Sequence, residues 1–153
     1  MAQPLVGIVI GSDSDRDVMQ VCLKQLDELG IAAELNVLSA HRTPDRARAY
    51  AREARARGVR VLIGAAGMAA HLAGALAAES LLPVIGVPLE GGPLRGIDAL
   101  LATVQMPKGV PVAAMAIGKA GAQNAALFAA QILALDDPNL FDKLQEIRDS
   151  WGR

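Results

Sequence analysis

A histidine and an arginine stand side by side in the segment Leu38–Asp45, which reads LSAHRTPD. His41 is one of only two histidines among 153 residues, and imidazole is the side chain that exchanges protons most easily near neutral pH. Arg42 offers a rigid fork of N–H donors that suits a phosphate group. The pair therefore predicts proton transfer beside a phosphorylated ligand; the alternative is a loop histidine that is merely solvated.

A second polar segment, Gly11–Asp15 (GSDSD), follows the first apolar run of the chain. The hydroxyl group of Ser12 and the free backbone amides could face a phosphate at a helix N-terminus. The carboxylate of Asp15 suits a ribose diol, because it accepts hydrogen bonds from two hydroxyl groups. Serine and aspartate are also ordinary helix N-caps, so these residues alone leave ligand binding and capping both open.

Two further loops are candidates for the site, Gly64–His71 (GAAGMAAH) and Pro88–Arg95 (PLEGGPLR). Small residues let a backbone approach a ligand closely, and they equally allow a helix to pack tightly on a sheet. The first loop runs into a short predicted helix over Ala69–Glu79, which favours a hydrogen-bonded structural role for His71. The second loop could close over a substrate or be a plain surface loop.

These loops follow apolar runs that we predict to be buried strands. Most runs are nearly continuous and rich in valine and isoleucine, which is typical of strands covered on both faces. One run carries Glu34 and Asn36 on a single face, which predicts a strand at the sheet edge. The predicted strands are Leu5–Ile10, Ala33–Leu38, Val59–Ile63, Pro83–Val87 and Pro111–Ile117.

Helical patterns fill the gaps between the predicted strands. One begins with Thr43 as the N-cap and Pro44 in the first turn, and Gly58 ends it. Strand followed by helix, five times over, predicts an α/β fold with a parallel sheet, right-handed crossovers and ligands at the carboxyl ends of the strands. The predicted helices are Asp15–Leu29, Pro44–Arg57, Ala69–Glu79, Gly96–Val104 and Ala122–Leu135.

A C-terminal helix is predicted at about residues 138–151, within a single domain of residues 1–153. The five-stranded sheet already has its covering helices, so the apolar stripe of this last helix is a candidate oligomer contact. A helix that folds back onto its own domain would give the same stripe. The stripe consists of Leu140, Leu144, Ile147 and Trp151.

The composition argues against several classes of protein. A net charge of −1 lacks the basic patch of a nucleic-acid-binding protein. The single cysteine, Cys22, cannot form an internal disulfide, which fits a reducing cytoplasm. The N-terminus lacks the basic region of a signal peptide. The glycines and alanines of Val61–Ala78 predict a strand and a helix instead of a membrane span.

The sequence contains no motif for a metal or a nucleotide cofactor. It lacks a P-loop, a G-x-G-x-x-G fingerprint, a Cys/His metal spacing and a nucleophile elbow. The residues by themselves therefore predict a small phosphorylated ligand and histidine acid–base chemistry, without metal or nucleoside triphosphate.

Several segments carry a family resemblance when they are taken together. They are GSDSD, SAHRTPDR, AAHL, PVIGVP, VQMPKGVPVAAMAIGKAG and NAALFAAQIL, and they extend from about Val6 to Leu135. In this order they resemble the class I N5-carboxyaminoimidazole ribonucleotide mutases of purine biosynthesis. The resemblance implies a flavodoxin-like three-layer fold, a cytoplasmic homo-octamer with active sites where subunits meet, and catalysis without ATP, metal or other cofactor.

The resemblance also implies a reaction and roles for individual residues. N5-carboxyaminoimidazole ribonucleotide would become 4-carboxy-5-aminoimidazole ribonucleotide, as the carboxyl group moves from the exocyclic nitrogen to a ring carbon. Ser12 and Asp15 would bind the substrate. His41 would be the general acid and base, and Arg42 would contact the phosphate.

One stretch departs from the family pattern. Many members read AGAGGAAHLPG where this chain has Gly64–Gly74, so that Met68 replaces a glycine and Ala73 a proline. These replacements leave open the backbone geometry around a trapped carbon dioxide molecule.

Two other functions belong to proteins of similar sequence or architecture. A class II enzyme would carboxylate aminoimidazole ribonucleotide with free carbon dioxide, but the His-Arg-Thr-Pro and VQMPKGVPV segments favour class I. A non-enzymatic, receiver-like signalling domain would need an aspartate at the end of the third strand, where this chain has Gly64–Gly67.

Overall fold

Five parallel strands form one sheet in the computed structural model, which describes residues 3–152. The strand order is β2-β1-β3-β4-β5, so the chain first adds a strand on one side of β1 and then continues on the other. The α/β fold with a five-stranded parallel sheet is therefore confirmed. The strands are β1 (Val6–Ile10), β2 (Ala33–Val37), β3 (Val61–Gly67), β4 (Val84–Leu89) and β5 (Ala113–Ala114).

Helices cover both faces of this sheet and make the three layers of a flavodoxin-like fold. Side chains alternate along each strand, so Ile8 and Ile63 belong to one core cluster, whereas Val9 and Leu62 belong to the other. Helices α1 and α5 cover the first cluster, and α2 and α3 cover the second. The helices are α1 (Arg16–Glu28), α2 (Pro44–Ala54), α3 (Leu72–Glu79), α4 (Ile97–Val104), α5 (Lys119–Ala134) and α6 (Pro138–Asp149).

Strand β2 lies at the sheet edge, as its polar face predicts. Strand β3 is longer than predicted, because the small residues after Ile63 continue the ladder and pair Ala66 with Pro88 of β4. Strand β5 is shorter than predicted, with only Ala113 and Ala114 in the ladder. It lies at the other edge of the sheet and pairs with only one strand, β4, so fewer of its residues form ladder hydrogen bonds.

A close approach between β3 and α3 depends on a glycine. A Cβ atom placed on Gly64 would lie 2.9 Å from the Cα atom of Ala73. Only a residue without a side chain fits this contact. The small residues of the predicted strand and helix thus form a buried layer, in which Ala73 is 3% exposed.

Helix α6 folds back onto its own domain. Leu140 is buried, and Leu144 and Ile147 pack against the cluster that α1 and α5 share. The Asp137 carboxylate caps the helix by accepting hydrogen bonds from two of its first backbone N–H groups. Trp151 remains 62% exposed, so the predicted stripe is covered at its start and open at its end.

The structure bears on two predictions, the one about a membrane span and the one about the cysteine. Among residues 3–152, no helix has the length and apolar character needed to cross a membrane. Cys22 is buried and free, and burial raises the pKa of its thiol to about 12. The predicted domain also includes residues 1, 2 and 153, which lie outside the described part of the chain.

Candidate active site

A cavity of about 300 Å³ opens at the carboxyl ends of β1, β2, β3 and β4. It lies where the strand order reverses beside β1, which is the usual ligand position in an open parallel sheet. The segments that follow these four strands all contribute to its wall. The cavity contains each of the residues predicted for the site, namely Ser12, Asp15, His41 and Arg42.

Ser12 and Asp15 hold the first loop through a reciprocal capping box. The Ser12 Oγ atom accepts a hydrogen bond from the Ser14 backbone N–H, and the Ser12 N–H donates to Asp15 Oδ2 at 3.2 Å. The capping role that the residue types allow is therefore present. Partial burial raises the pKa of Asp15, and the Ser12 N–H bond partly opposes that rise. A carboxylate has further lone pairs, so this contact leaves acceptors for a ligand hydroxyl group.

Ser39 shapes the loop that carries the histidine–arginine pair. Its Oγ atom accepts hydrogen bonds from the backbone N–H groups of His41 and Arg42, at 3.2 and 3.0 Å. Such a side-chain-to-backbone turn fixes the loop locally. The side chains of His41 and Arg42 are exposed and line the cavity.

Thr43 takes the N-cap position of α2, but its side chain does not cap the helix. Instead, Thr43 Oγ1 accepts a hydrogen bond from the Ser39 N–H at 3.0 Å and lies 3.2 Å from the Ser39 carbonyl oxygen. The predicted N-cap position of Thr43 is therefore confirmed, whereas its hydroxyl group bonds to Ser39 and does not cap the helix. This bond fixes the segment that presents His41.

Arg42 is available to a ligand. Within residues 3–152, no carboxylate lies within ion-pair distance of its guanidinium group. A free, exposed guanidinium group at the rim of a cavity suits a phosphate. The phosphate contact itself stays a prediction.

His71 lies in the same cavity and contacts His41. The His41 Nε2 and His71 Nδ1 atoms are 2.8 Å apart, and the ring centroids are separated by 4.8 Å with the planes at 82°. His71 is exposed and precedes the first residue of α3. Its predicted place inside a helix was wrong.

The backbone of Met68 accounts for the later start of α3, after His71. Its backbone has φ 52°, in the left-handed region that a glycine adopts easily and that costs another residue about 1 kcal/mol. This turn ends β3 and delays α3 until Leu72. The Met68 side chain is 56% exposed and extends towards Gly91 and Gly92. The glycine of the family pattern would allow the same backbone without strain.

The loop after β4 completes the cavity. Glu90 and Gly91 line it, so the site faces a second carboxylate besides Asp15. Sequence reasoning named this loop, Pro88–Arg95, as a possible cover but did not single out Glu90. Within the part of the chain described, no group of three or more His, Cys, Asp or Glu residues could hold a metal ion.

Comparison with known proteins identifies the family. Residues 5–152 match the model of the AIR carboxylase family. The chain belongs to this family. It is 55% identical over 148 residues to the N5-carboxyaminoimidazole ribonucleotide mutase of Bacillus subtilis, with 97% of this chain and 91% of that protein covered. It is 48% identical over 153 residues to the mutase of the same name from Pyrococcus abyssi, with 100% and 87% covered.

A solved structure has the same fold. The crystal structure of Treponema denticola PurE superimposes with a TM-score of 0.87 at 28% sequence identity, over 96% of this chain and 90% of that one. The resemblance to the N5-carboxyaminoimidazole ribonucleotide mutases that the sequence motifs indicate is therefore confirmed. The receiver-like alternative finds no support, because the AIR carboxylase family and both relatives are named for enzymes.

Proposed function

We propose that the protein converts N5-carboxyaminoimidazole ribonucleotide to 4-carboxy-5-aminoimidazole ribonucleotide, as an intramolecular carboxyl-transferring mutase of purine (IMP) biosynthesis. The observation that carries this proposal is the 55% identity to a mutase over 97% of the chain. The cavity at the strand ends supports it, because it places an exposed histidine beside a free arginine.

His41 is the general acid and then the general base. As an imidazolium, it protonates the carbamate nitrogen, the N–C bond breaks, and carbon dioxide leaves while the bonding electrons stay on nitrogen. The ring carbon is now the nucleophilic carbon of an enamine and attacks the trapped carbon dioxide. Neutral His41 then removes the proton from that carbon, which restores both the aromatic ring and the imidazolium.

This cycle consumes and releases no net proton, so one acid–base residue is enough and neither ATP nor metal is required. The cavity has to hold carbon dioxide until the ring carbon attacks. Retention replaces a bimolecular recapture by a unimolecular step. Met68 and Gly91 are among the residues that line this cavity.

The remaining predicted residues bind the ribonucleotide. Arg42 contacts the phosphate with charge-assisted hydrogen bonds. Asp15 accepts from the ribose hydroxyl groups, and Ser12 adds a hydroxyl group beside the helix N-terminus. All three surround the same cavity as His41, which supports a single binding mode.

An isotope experiment separates the mutase from the alternative, a carboxylase that uses free carbon dioxide. Purified enzyme is given carboxyl-labelled N5-carboxyaminoimidazole ribonucleotide in unlabelled bicarbonate. A mutase keeps the label in the product. Efficient carboxylation of aminoimidazole ribonucleotide with bicarbonate, together with inactivity on the carbamate, would overturn the proposal.

We also propose a cytoplasmic homo-octamer built from one domain of residues 1–153, with small-molecule ribonucleotide as its partner and no nucleic acid or membrane. Exposed apolar side chains on α4 support burial between subunits, since Ile97, Leu101 and Val104 are each about half exposed. Light scattering tests the assembly. A mass of eight chains agrees with the proposal, and a clean monomer at micromolar concentration contradicts it.

A further inference from the structure

His71 contacts the proposed proton carrier through a hydrogen bond between the two rings. The His41 Nε2 and His71 Nδ1 atoms are 2.8 Å apart, which is a normal hydrogen-bond length. Among the side chains of residues 3–152, His71 is the one hydrogen-bonded to the His41 ring. The ring orientation and tautomer of His41 therefore depend on His71.

The proposed reaction decides which nitrogen donates in this bond. One hydrogen lies between the two nitrogens, so one ring donates and the other accepts. When His41 is an imidazolium, both of its nitrogens carry hydrogen, and Nε2–H must donate to His71 Nδ1. After the proton leaves through His41 Nδ1, the Nε2–H bond is unchanged. With His71 as donor, the bond would break each time His41 gains a proton.

We propose that His71 is a positioning residue that holds His41 as the Nε2–H tautomer and leaves His41 Nδ1 to exchange the proton with the substrate. This inference rests on the proposed function. It gives the second histidine of the chain a role in the reaction without direct transfer to the substrate.

Both rings stand on backbone that is already fixed. The His71 N–H donates to the Ala69 carbonyl at 2.9 Å, and the His71 carbonyl accepts from the Ala75 N–H at 2.9 Å. The Ser39 hydroxyl group holds the backbone of His41. A positioning contact requires such rigid support, because a loose partner would not select one tautomer.

The tautomer can be observed directly, because the chain contains only two histidines. Long-range ¹H–¹⁵N correlation spectra of ¹⁵N-labelled protein are recorded at alkaline pH, where imidazole rings are neutral. His41→Asn and His71→Asn assign the two spin systems. We expect hydrogen on Nε2 of His41 in the wild type and a mixture of both tautomers in His71→Phe. A wild-type His41 ring with hydrogen on Nδ1 would overturn the proposal.

Kinetics separate positioning from a structural role. His71→Phe keeps an exposed ring and removes the acceptor, whereas His71→Asn keeps a short polar side chain whose amide oxygen can accept. Acid–base catalysis contributes roughly 100- to 10,000-fold to the rate. We expect His71→Phe to lower kcat by at least about 10-fold and to change KM by less than about 3-fold. His71→Asn should recover most of that loss.

Three kinetic outcomes would contradict the inference, and each is distinguishable. Wild-type kcat in His71→Phe removes the positioning role and leaves the proposed function intact. Equal losses in the Phe and Asn variants show a need for the imidazole itself, which also refutes positioning through an acceptor. A wild-type protein that does not convert N5-carboxyaminoimidazole ribonucleotide overturns the proposed function and this role with it.

Discussion

Replacement of Arg42 by alanine should remove phosphate recognition and little else. The side chain is exposed, and within residues 3–152 it forms no ion pair, so its loss leaves no buried charge without a partner. A hydrogen bond to a charged group contributes about 1.5–3 kcal/mol. One such bond to the phosphate therefore corresponds to roughly 10- to 150-fold in affinity.

The measurement compares two ligands by calorimetry. One is the product, 4-carboxy-5-aminoimidazole ribonucleotide, and the other is the same ribonucleoside without its phosphate. Arg42→Ala should weaken the affinity for the ribonucleotide by about that factor and change the affinity for the ribonucleoside by no more than roughly 2-fold. The difference between these two changes measures the coupling between the arginine and the phosphate. The loss should shrink as salt rises, because exposed charges are screened.

A matched control removes an equal charge from α2, the helix that follows Arg42 in the chain. Arg46 is exposed, lies in α2 and does not line the cavity. Arg46→Ala should change neither affinity by more than about 2-fold, since its charge is farther along the helix and solvated. Equal losses for ribonucleotide and ribonucleoside in Arg42→Ala, or an unchanged affinity for both, would refute the phosphate contact.

Three further predictions concern the fold. Gly64→Ala should destabilise the protein by about 1–3 kcal/mol in chemical unfolding, because its Cβ would lie 2.9 Å from the Ala73 backbone. The control is Gly91→Ala, where the nearest atom would be 3.8 Å away. Equal stabilities of the two variants would contradict the close contact at Gly64. Asp137→Ala should cost about 1 kcal/mol, measured by thermal unfolding, because α6 loses its cap; an unchanged midpoint would refute this. Cys22 should resist thiol reagents at pH 8 until denaturant is added, since its pKa is raised to about 12 by burial; rapid labelling of the native protein would contradict its burial.

The order of elements could be predicted from apolar periodicity and helix signals. Valine and isoleucine runs identified the strands, and Glu34 with Asn36 identified the edge strand. Strand lengths were less accessible, because pairing depends on a neighbouring strand that lies far away in sequence. Small residues after Ile63 have weak preferences of their own, and they extend β3 because β4 pairs with them.

The candidate site could be predicted in part. The rule that ligands bind at strand ends brings the first two loops together, and the structure places Ser12, Asp15, His41 and Arg42 around one cavity. The contact between His41 and His71 was not predicted, because His71 was placed inside a helix, whereas it precedes α3 and follows the left-handed backbone of Met68. That conformation is unusual for methionine, so the residue type gave no signal of it.

The proposed mechanism requires that His41 carries the proton in both halves of the carboxyl transfer. Single-turnover rates on N5-carboxyaminoimidazole ribonucleotide, compared between wild type and His41→Asn with binding of the product measured in parallel, test it most directly. We expect the variant to bind within about 3-fold of wild type while its rate falls roughly 100- to 10,000-fold. A near-normal rate in His41→Asn would contradict the account.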